Sequence, residues 1–229
     1  MMIAALLQQA GLTVWQPPAT GLEATIEVPS LVDNLRAAFE RVYPVRFTDT
    51  PAMPFVVYQP VGGAPVYVDG VAVAREAQFV VTLRQGSFLA LSDTADVLFT
   101  VLATDPSTQI TDQMVDNELE QSRLRLDVEL SVLQLAHTLP AVAVWQVDES
   151  AGESLATYTL QPITQRWAVC HICQHDDLEA QRLAARTALL GHDIGGRYEP
   201  LEFGGGQQVG QFGRVSLWRD FWTQRQYVR

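Results

Sequence analysis

The chain has 229 residues, of which 48% are hydrophobic and 18% are charged, and its formal net charge at pH 7 is −11. This composition is apolar enough to fold around a core and too poor in charge for a disordered chain. The acidic balance disfavours adhesion to nucleic acid or to an anionic membrane, because like charges prevent counterion-releasing contacts. The length predicts two small domains rather than one.

The amino-terminal segment, residues 1–28, is predicted to be an arm that precedes the first domain. Met2–Ala10 has the pattern of a short helix ended by Gly11, and Leu12–Trp15 reads as a brief strand closed by a pair of prolines. The apolar stretch is short and carries no lysine or arginine, so it predicts neither a signal peptide nor a membrane span.

The first predicted unit, residues 29–136, is a mixture of strands and helices. Its alternating segments predict strands, and segments with apolar residues at helical spacing predict helices. In chain order we predict a helix capped by Ser30 and running to Val42, strands over Phe55–Gln59, Val66–Val68 and Ala74–Arg84, a helix capped by Ser92, an exposed loop or short helix over Ser107–Gln121, and a strand over Arg123–Val132.

The second predicted unit, residues 137–229, repeats this order of elements. Pro140 follows Pro54 by 86 residues, and the run that follows each proline is typical of a strand. The remaining predictions are strands over Leu155–Leu160, Gln165–Cys173 and Arg214–Gln224, a helix capped by Asp176 and ended by Gly191, and a glycine-rich loop over Gly195–Gly213. We therefore predict an α+β fold made of two related strand-strand-strand-helix-strand units.

One cluster has residue types that bind metals: Cys170, His171, Cys173 and His175 lie within six residues. The alternating pattern places this run on a strand, where Cys170 and Cys173 point to opposite faces, whereas a zinc knuckle needs both sulfurs on one tight turn. We predict a packed strand without metal and reduced, buried thiols, as is usual inside cells. A three-ligand site formed by His171, Cys173 and His175 remains the alternative.

The sequence predicts no catalytic residue and no cofactor. It contains no G-x-S-x-G motif, and its glycine runs are not followed by Gly-Lys-Ser or Gly-Lys-Thr. All fifteen basic residues are arginine. The aromatic residues of the second half are predicted to pack in a core or a subunit interface.

Several segments of the second half resemble the tail-terminator, or tail-completion, proteins of long-tailed bacteriophages. The resemblance rests on the sequences Pro-Ala-Val-Ala-Val-Trp from Pro140, Arg-Trp-Ala-Val from Arg166, Ala-Leu-Leu-Gly from Ala188, Tyr-Glu-Pro-Leu-Glu-Phe-Gly-Gly-Gly from Tyr198, and Gly-Arg-Val-Ser-Leu-Trp from Gly213. It implies a non-catalytic virion protein, assembled in the host cytoplasm, that forms a ring at the head-proximal end of the tail tube. Such a ring ends tube polymerisation, offers a docking face to the neck protein, and lets DNA pass without specific binding or any membrane contact.

Family members commonly have one unit, whereas this chain has two, so the resemblance implies a ring of three or six chains. We predict contacts with sister chains, the tube protein and the neck through the loops Val61–Val73 and Gly195–Gly213, and specifically through Tyr67, Gln207, Gln208 and Phe212. The alternatives are a head-tail joining or baseplate component and, outside this class, a small-molecule-binding enzyme with a pocket between the halves.

Overall fold

The computed structural model describes residues 2–15, 29–45, 51–118, 123–134, 139–152, 161–192 and 198–228. Within these residues the chain has an α+β fold with two five-stranded mixed sheets, each accompanied by helices. The predicted fold class, two related sheet-plus-helix units, is therefore confirmed. The predicted strand over residues 155–160 lies outside the described residues.

The helices are α1 (Met2–Gln9), α2 (Pro29–Ala38), α3 (Phe88–Leu102) and α4 (Leu178–Leu189). The strands of the first sheet are β2 (Val42–Pro44), β3 (Phe55–Val68), β4 (Val71–Gln85), β5 (Thr108–Glu118) and β6 (Arg123–Gln134). Those of the second sheet are β1 (Val14–Trp15), β7 (Ala141–Ala151), β8 (Gln161–Gln174), β9 (Glu202–Phe212) and β10 (Val215–Val228).

The two sheets have the same topology. The first has the order β2-β3-β4-β6-β5 and the second β1-β7-β8-β10-β9. In each sheet a short strand, preceded by a helix, pairs in parallel with the first long strand, and all other pairs are antiparallel. In each, the first long strand follows a proline, Pro54 or Pro140, whose preceding peptide bond is cis. The duplication is therefore complete at the level of strand order.

The first unit is inserted into the second, which corrects the prediction of an amino-terminal arm over residues 1–28. Strand β1 pairs with β7, with Val14 opposite Val142, and Ile3 and Leu7 of α1 are buried in the core of the second unit. Helix α1 and strand β1 thus stand where α2 and β2 stand in the first unit. This explains why the sequence contains no helix directly before Pro140.

Several local predictions require correction. Helix α3 begins before Ser92, because Ser87 is its N-cap and the Oγ atom of Ser87 accepts a hydrogen bond from the Ala90 amide at 3.3 Å. Helix α4 begins at Leu178 after a 3₁₀ turn over His175–Asp177, so Asp176 is not its cap.

Three predicted loops are strands. The polar stretch at 107–121 contains β5, the predicted loop at 195–213 contains β9, and the predicted loop at 61–73 contains the apex of the β3–β4 hairpin. In each case pairing with a neighbouring strand outweighs the low strand propensity of glycine and acidic residues.

Each unit buries its own apolar core between helices and sheet. In the first unit, Leu35 of α2 and Leu98 of α3 pack on the sheet. In the second, Leu7 of α1 and Leu189 of α4 pack against Trp222, which is fully buried. One face of each sheet is thus covered by its own pair of helices.

The opposite face of the second sheet is covered by the first unit. The β3–β4 hairpin turns at Asp69-Gly70, where both residues have positive φ as a two-residue type I′ turn requires. Val68 and Val73, on either side of this turn, are each 1% exposed and pack in one cluster with Cys170 and Leu217 of the second sheet. Asp69 also forms an ion pair with Arg219. The hairpin apex therefore joins the two units.

A second contact joins the units at the turn between β9 and β10. The amide of Arg214 donates to the carbonyl of Pro106 at 2.8 Å, and its Nη2 atom donates to the carbonyl of Ala103 at 3.1 Å. Gly213 has φ +55°, and a Cβ atom there would lie 2.6 Å from the carbonyl oxygen of Thr108. Two separated contacts hold the units in a fixed relation.

Substitution of Val68 by aspartate should separate the units, because it places a charge in the apolar cluster between them. We expect Val68→Asp to lower the free energy of unfolding by about 3 kcal/mol or more. Val61→Asp is the control in the same hairpin, since Val61 is 53% exposed and its substitution should change the stability by less than about 0.5 kcal/mol. Urea denaturation of both variants, compared with the unmodified chain, measures the difference; equal stabilities would contradict this role of the apex.

Candidate assembly interface

In each sheet, the two edge strands differ greatly in length. On one side, β1 and β2 have only two and three residues. On the other, β5 and β9 have eleven residues each, and within the described residues neither has a second strand beside it. Both units therefore present one long row of backbone groups to the surroundings.

Strand β5 exposes apolar side chains and acidic ones together. Ile110, Met114 and Val115 are 41%, 57% and 55% exposed, and Asp112 and Asp116 are exposed between and beside them. Large exposed apolar side chains grouped on one element mark interaction surfaces more often than isolated ones do. This edge strand is thus apolar and negatively charged.

An apolar groove lies between β5 and α3. It has a volume of about 330 Å³ and is lined by Phe88, Leu91, Ala95, Phe99, Val115 and Leu126 together with Ser92, Asp96 and Gln113. At its end Phe88 is 68% exposed, and the adjoining Leu89 is 80% exposed. The groove extends the apolar surface of β5 onto the helix layer.

Strand β9 is polar, in contrast to β5. Gln207 and Gln208, two of the predicted contact residues, are exposed along it. Phe212, the third, is half-buried at the end of the strand and packs at the margin of the cluster between the units. The structure thus places Gln207 and Gln208 on an edge strand rather than on a loop, while Phe212 has mainly a packing role.

Tyr67, the fourth predicted contact residue, lies beside the apex of the β3–β4 hairpin and is 59% exposed. Its neighbour Val68 faces the cluster between the units, and alternation along the strand turns Tyr67 away from it. The hairpin that carries Tyr67 and the strand that carries Phe212 contribute to one cluster, whereas Gln207 and Gln208 lie along the free edge.

Neither the edge strand β5 nor the groove beside it was predicted from the sequence. The exposed Met114-Val115 pair within a polar run is the sequence signal that indicates them.

A buried polar cluster lies under α4, on the helix side of the second sheet. Asp220 of β10 is fully buried, and it accepts hydrogen bonds from Nε1 of Trp218 at 2.8 Å and from Nη2 of Arg182 at 3.3 Å. Nε2 of His171, on β8, lies 3.4 Å from the same carboxylate. The guanidinium of Arg182 stacks over Trp218 at 4.1 Å and pairs with Glu179 at 2.7 Å. Sequence reasoning did not connect these residues.

The first unit has apolar residues at the same positions. Val142 and Val56 each lie two residues after the cis-proline; Val142 pairs with His171, and Val56 pairs with Leu83. His171 in turn pairs with Trp218, and Leu83 with Leu126.

Two residues further along the same strands, Asp220 occupies the position of Val128 in the first unit. Asp220 pairs with Val169, and Val128 pairs with the equivalent Val81. The fold can therefore be built without these polar groups. His171 and Asp220 have no exposed surface, so neither is accessible to a substrate.

The environment of Asp220 favours its charged form. Burial by itself raises the pKa of this carboxyl, but the contacts with His171, Arg182 and Trp218 outweigh burial and hold the pKa below its ordinary value. The folded state consequently stabilises the carboxylate relative to the unfolded state. This contribution is present above the unfolded pKa and is lost as the pH falls through the folded pKa.

The side chains of the candidate metal ligands point in different directions. Cys170 faces the cluster between the units, while His171 faces α4, and Nδ1 of His175 lies 3.2 Å from Oγ of Ser216. Burial raises the pKa of Cys170 to about 12 and that of Cys173 to about 11, so both thiols stay protonated at neutral pH. In the part of the chain that the structure describes, no three His, Cys, Asp or Glu side chains are grouped closely enough to hold a metal ion.

Comparisons of the chain with protein-family models, with curated proteins and with solved structures find no match. Among the described residues, no helix combines the length and the apolar character that crossing a membrane requires.

The Asp220 cluster should make stability depend on pH in a defined direction. Asp220→Asn removes the buried charge partner of Arg182 and leaves it only the exposed Glu179, so we expect a loss of about 3 kcal/mol at pH 7. The loss should shrink as the pH falls below about 4, because the unmodified chain then also loses the carboxylate. Asp148→Asn is the control, since Asp148 forms an exposed pair with Arg166 at 4.0 Å and should cost less than about 1 kcal/mol. Chemical denaturation between pH 3 and pH 7 tests this; a loss that does not vary with pH would contradict it.

Gly206 has no side chain, and the space beside it is occupied by the Asp220 cluster. A Cβ atom at this position would collide with Oδ1 of Asp220 and would lie 2.7 Å from Nε1 of Trp218, whereas one at Gly204 would make ordinary contact with Phe221 at 3.5 Å. We expect Gly206→Ala to lower the free energy of unfolding by about 1–3 kcal/mol. Gly204→Ala should change it by less than about 1 kcal/mol. Thermal and urea unfolding of the two variants measure the difference, and equal effects would show that Gly206 has no special role.

Proposed function

We propose that the chain is a ring-forming structural protein of a bacteriophage tail, placed at the head-proximal end of the tail tube, where it ends tube polymerisation and presents a docking face to the neck. The proposal starts from the resemblance of the second half to tail-terminator proteins. The observation that carries it is that each of the two matching units has an eleven-residue edge strand with no second strand on its outer side among the described strands.

Long free edges favour assembly on physical grounds. A free edge strand pairs readily with another chain, and folded monomers usually shorten, charge or cover such strands. Here β5 combines the free edge with exposed Met114 and Val115. A closed ring satisfies these edges on every subunit and prevents further growth.

The charge of the chain is compatible with a passage for DNA. A net charge of −11 gives a surface that repels the phosphate backbone, so DNA slides through such a ring without being held. In the alternative of an enzyme, the ligand pocket was expected between the halves. That position is occupied by the apolar cluster around Val68, Cys170 and Leu217, which favours a rigid junction.

Subunit association should depend on the apolar part of β5. Met114→Lys adds a charge to an exposed edge position, which is how natural sheets prevent edge pairing. We expect this variant to fold normally, because Met114 is exposed, and to lose the ring. Val45→Lys, at a 43% exposed residue outside β5, is the control that should keep it. Native mass spectrometry of the unmodified chain should show three or six copies; a monomer at every concentration would contradict the proposal.

The place of the ring in the tail is tested in assembled particles. Phage particles that lack this protein should have tails of uncontrolled length, as loss of a terminator implies. Tails of correct length that remain detached from heads would instead indicate the joining role and would overturn the proposal.

A further inference from the structure

The structure also indicates which surfaces meet in the ring, an inference that rests on the proposed function. We propose that edge strand β5 of one copy pairs with edge strand β9 of the next, so that the two sheets become continuous and helix α3 lies beside helix α4 of the neighbouring copy. The occupant of the α3–β5 groove is thus a second copy of this chain.

The positions of the helices make this pairing possible. Helix α3 packs over β4 and β6 of the first sheet, and α4 packs over β8, the central strand of the second. Side chains of α4 reach the outer strands on the same face, because Arg182 bonds to Asp220 of β10 and Arg186 stacks on Phe203 of β9. Because the two units share one topology, joining β5 to β9 as antiparallel strands places both helices on the same side of the combined sheet.

Charge favours this combination over pairing of like edges. Helix α3 has exposed Asp93 and Asp96 and no basic residue, and the adjacent β5 has exposed Asp112 and Asp116. Joining β5 to another β5 would bring these acidic groups together, and like charges directly opposite each other are destabilising. Strand β9 has a single acidic residue, Glu202, among glycines and glutamines.

Helix α4 carries the complementary side chains. Leu183 on its outer face is 66% exposed, Leu190, the C-cap residue directly after the helix, is 62% exposed, and Thr187 is also exposed between them. Arg186 lies on the same helix, with its guanidinium 4.4 Å from the ring of Phe203 of β9.

Exposed leucines seven residues apart are the spacing by which a helix docks in an apolar groove. The groove beside α3 offers Phe88, Val115 and Leu126 to such leucines and Asp96 to the arginine. Since the two surfaces lie on different units, the contact runs head to tail, which is the arrangement that generates a ring when the rotation between neighbours closes.

A charge exchange between the helices tests this pairing. Asp96→Arg and Arg186→Glu should each weaken ring formation by about tenfold or more in dissociation constant, because each places like charges at the contact. The double variant should restore association to near the level of the unmodified chain. Analytical ultracentrifugation over a concentration series measures the dissociation constants, and circular dichroism confirms that each variant is folded.

A second variant covers the case in which Arg186→Glu disturbs the fold by losing its contact with Phe203. Leu183→Glu changes a side chain that is 66% exposed, and it should also prevent association, because it sets a carboxylate against the apolar groove next to Asp96. Asp148→Asn on β7, which lies on the side of the second sheet away from β9, is the matched control and should assemble normally.

The outcomes separate this inference from the proposed function. Rings that form equally well with Asp96→Arg and Leu183→Glu would overturn the pairing but not the proposed ring. A double variant that is folded but does not regain association would likewise overturn the pairing alone. A closed dimer held by two β5–β9 contacts would support the pairing and contradict the proposed ring of three or six copies. A chain that stays monomeric throughout would overturn both.

Discussion

The burial of the β3–β4 hairpin apex against the second sheet is the contact on which the rest of the molecule depends. Val68 and Val73 are removed from solvent at this contact. Each fully buried valine stabilises the folded state by about 1.5–3 kcal/mol relative to an exposed one. The contact covers the sheet face that α1 and α4 leave open. Both faces of the second sheet are covered and the hairpin is anchored by Asp69 and Arg219, and among the described strands β5 and β9 are the long edges without an outer partner.

Insertion of one unit into another accounts for this rigidity. The chain enters the second unit through α1 and β1, leaves it to build the whole first unit, and returns at Pro140. Two crossings fix the units more firmly than one linker does, since motion at one crossing must be matched at the other. The contact of Arg214 with Ala103 and Pro106 adds a further restraint. In the proposed tail ring, such rigid pairs of units would give the ring a defined diameter.

The sequence predicts the repeated elements well wherever local pattern decides them. The alternation of Leu124 to Val132 and the run after Pro140 yield strands at the expected places, because one face of each is buried. The insertion is not visible in the sequence, because pairing of Val14 with Val142 joins residues more than a hundred positions apart. Strand β9 was read as a loop for a related reason: its glycines have poor strand propensity, and only β10 beside it, with Gly206 making room for Asp220, gives them a strand.

The differences between the two units are as informative as their shared topology. A core needs neither His171 nor Asp220 at these positions, since Leu83 and Val128 serve in the first unit, and burying charged groups costs free energy unless they are well paired. The helices diverge as well, because α3 has exposed Asp93 and Asp96 and no basic residue, whereas α4 has the partly exposed Arg186 beside the exposed Leu183, in addition to the exposed Glu179 at its start. If the units met only identical partners, nothing would favour opposite charges on matching helices. Opposite charges on matching surfaces are what a head-to-tail contact between unlike units requires, because they stabilise the unlike pair and destabilise both like pairs.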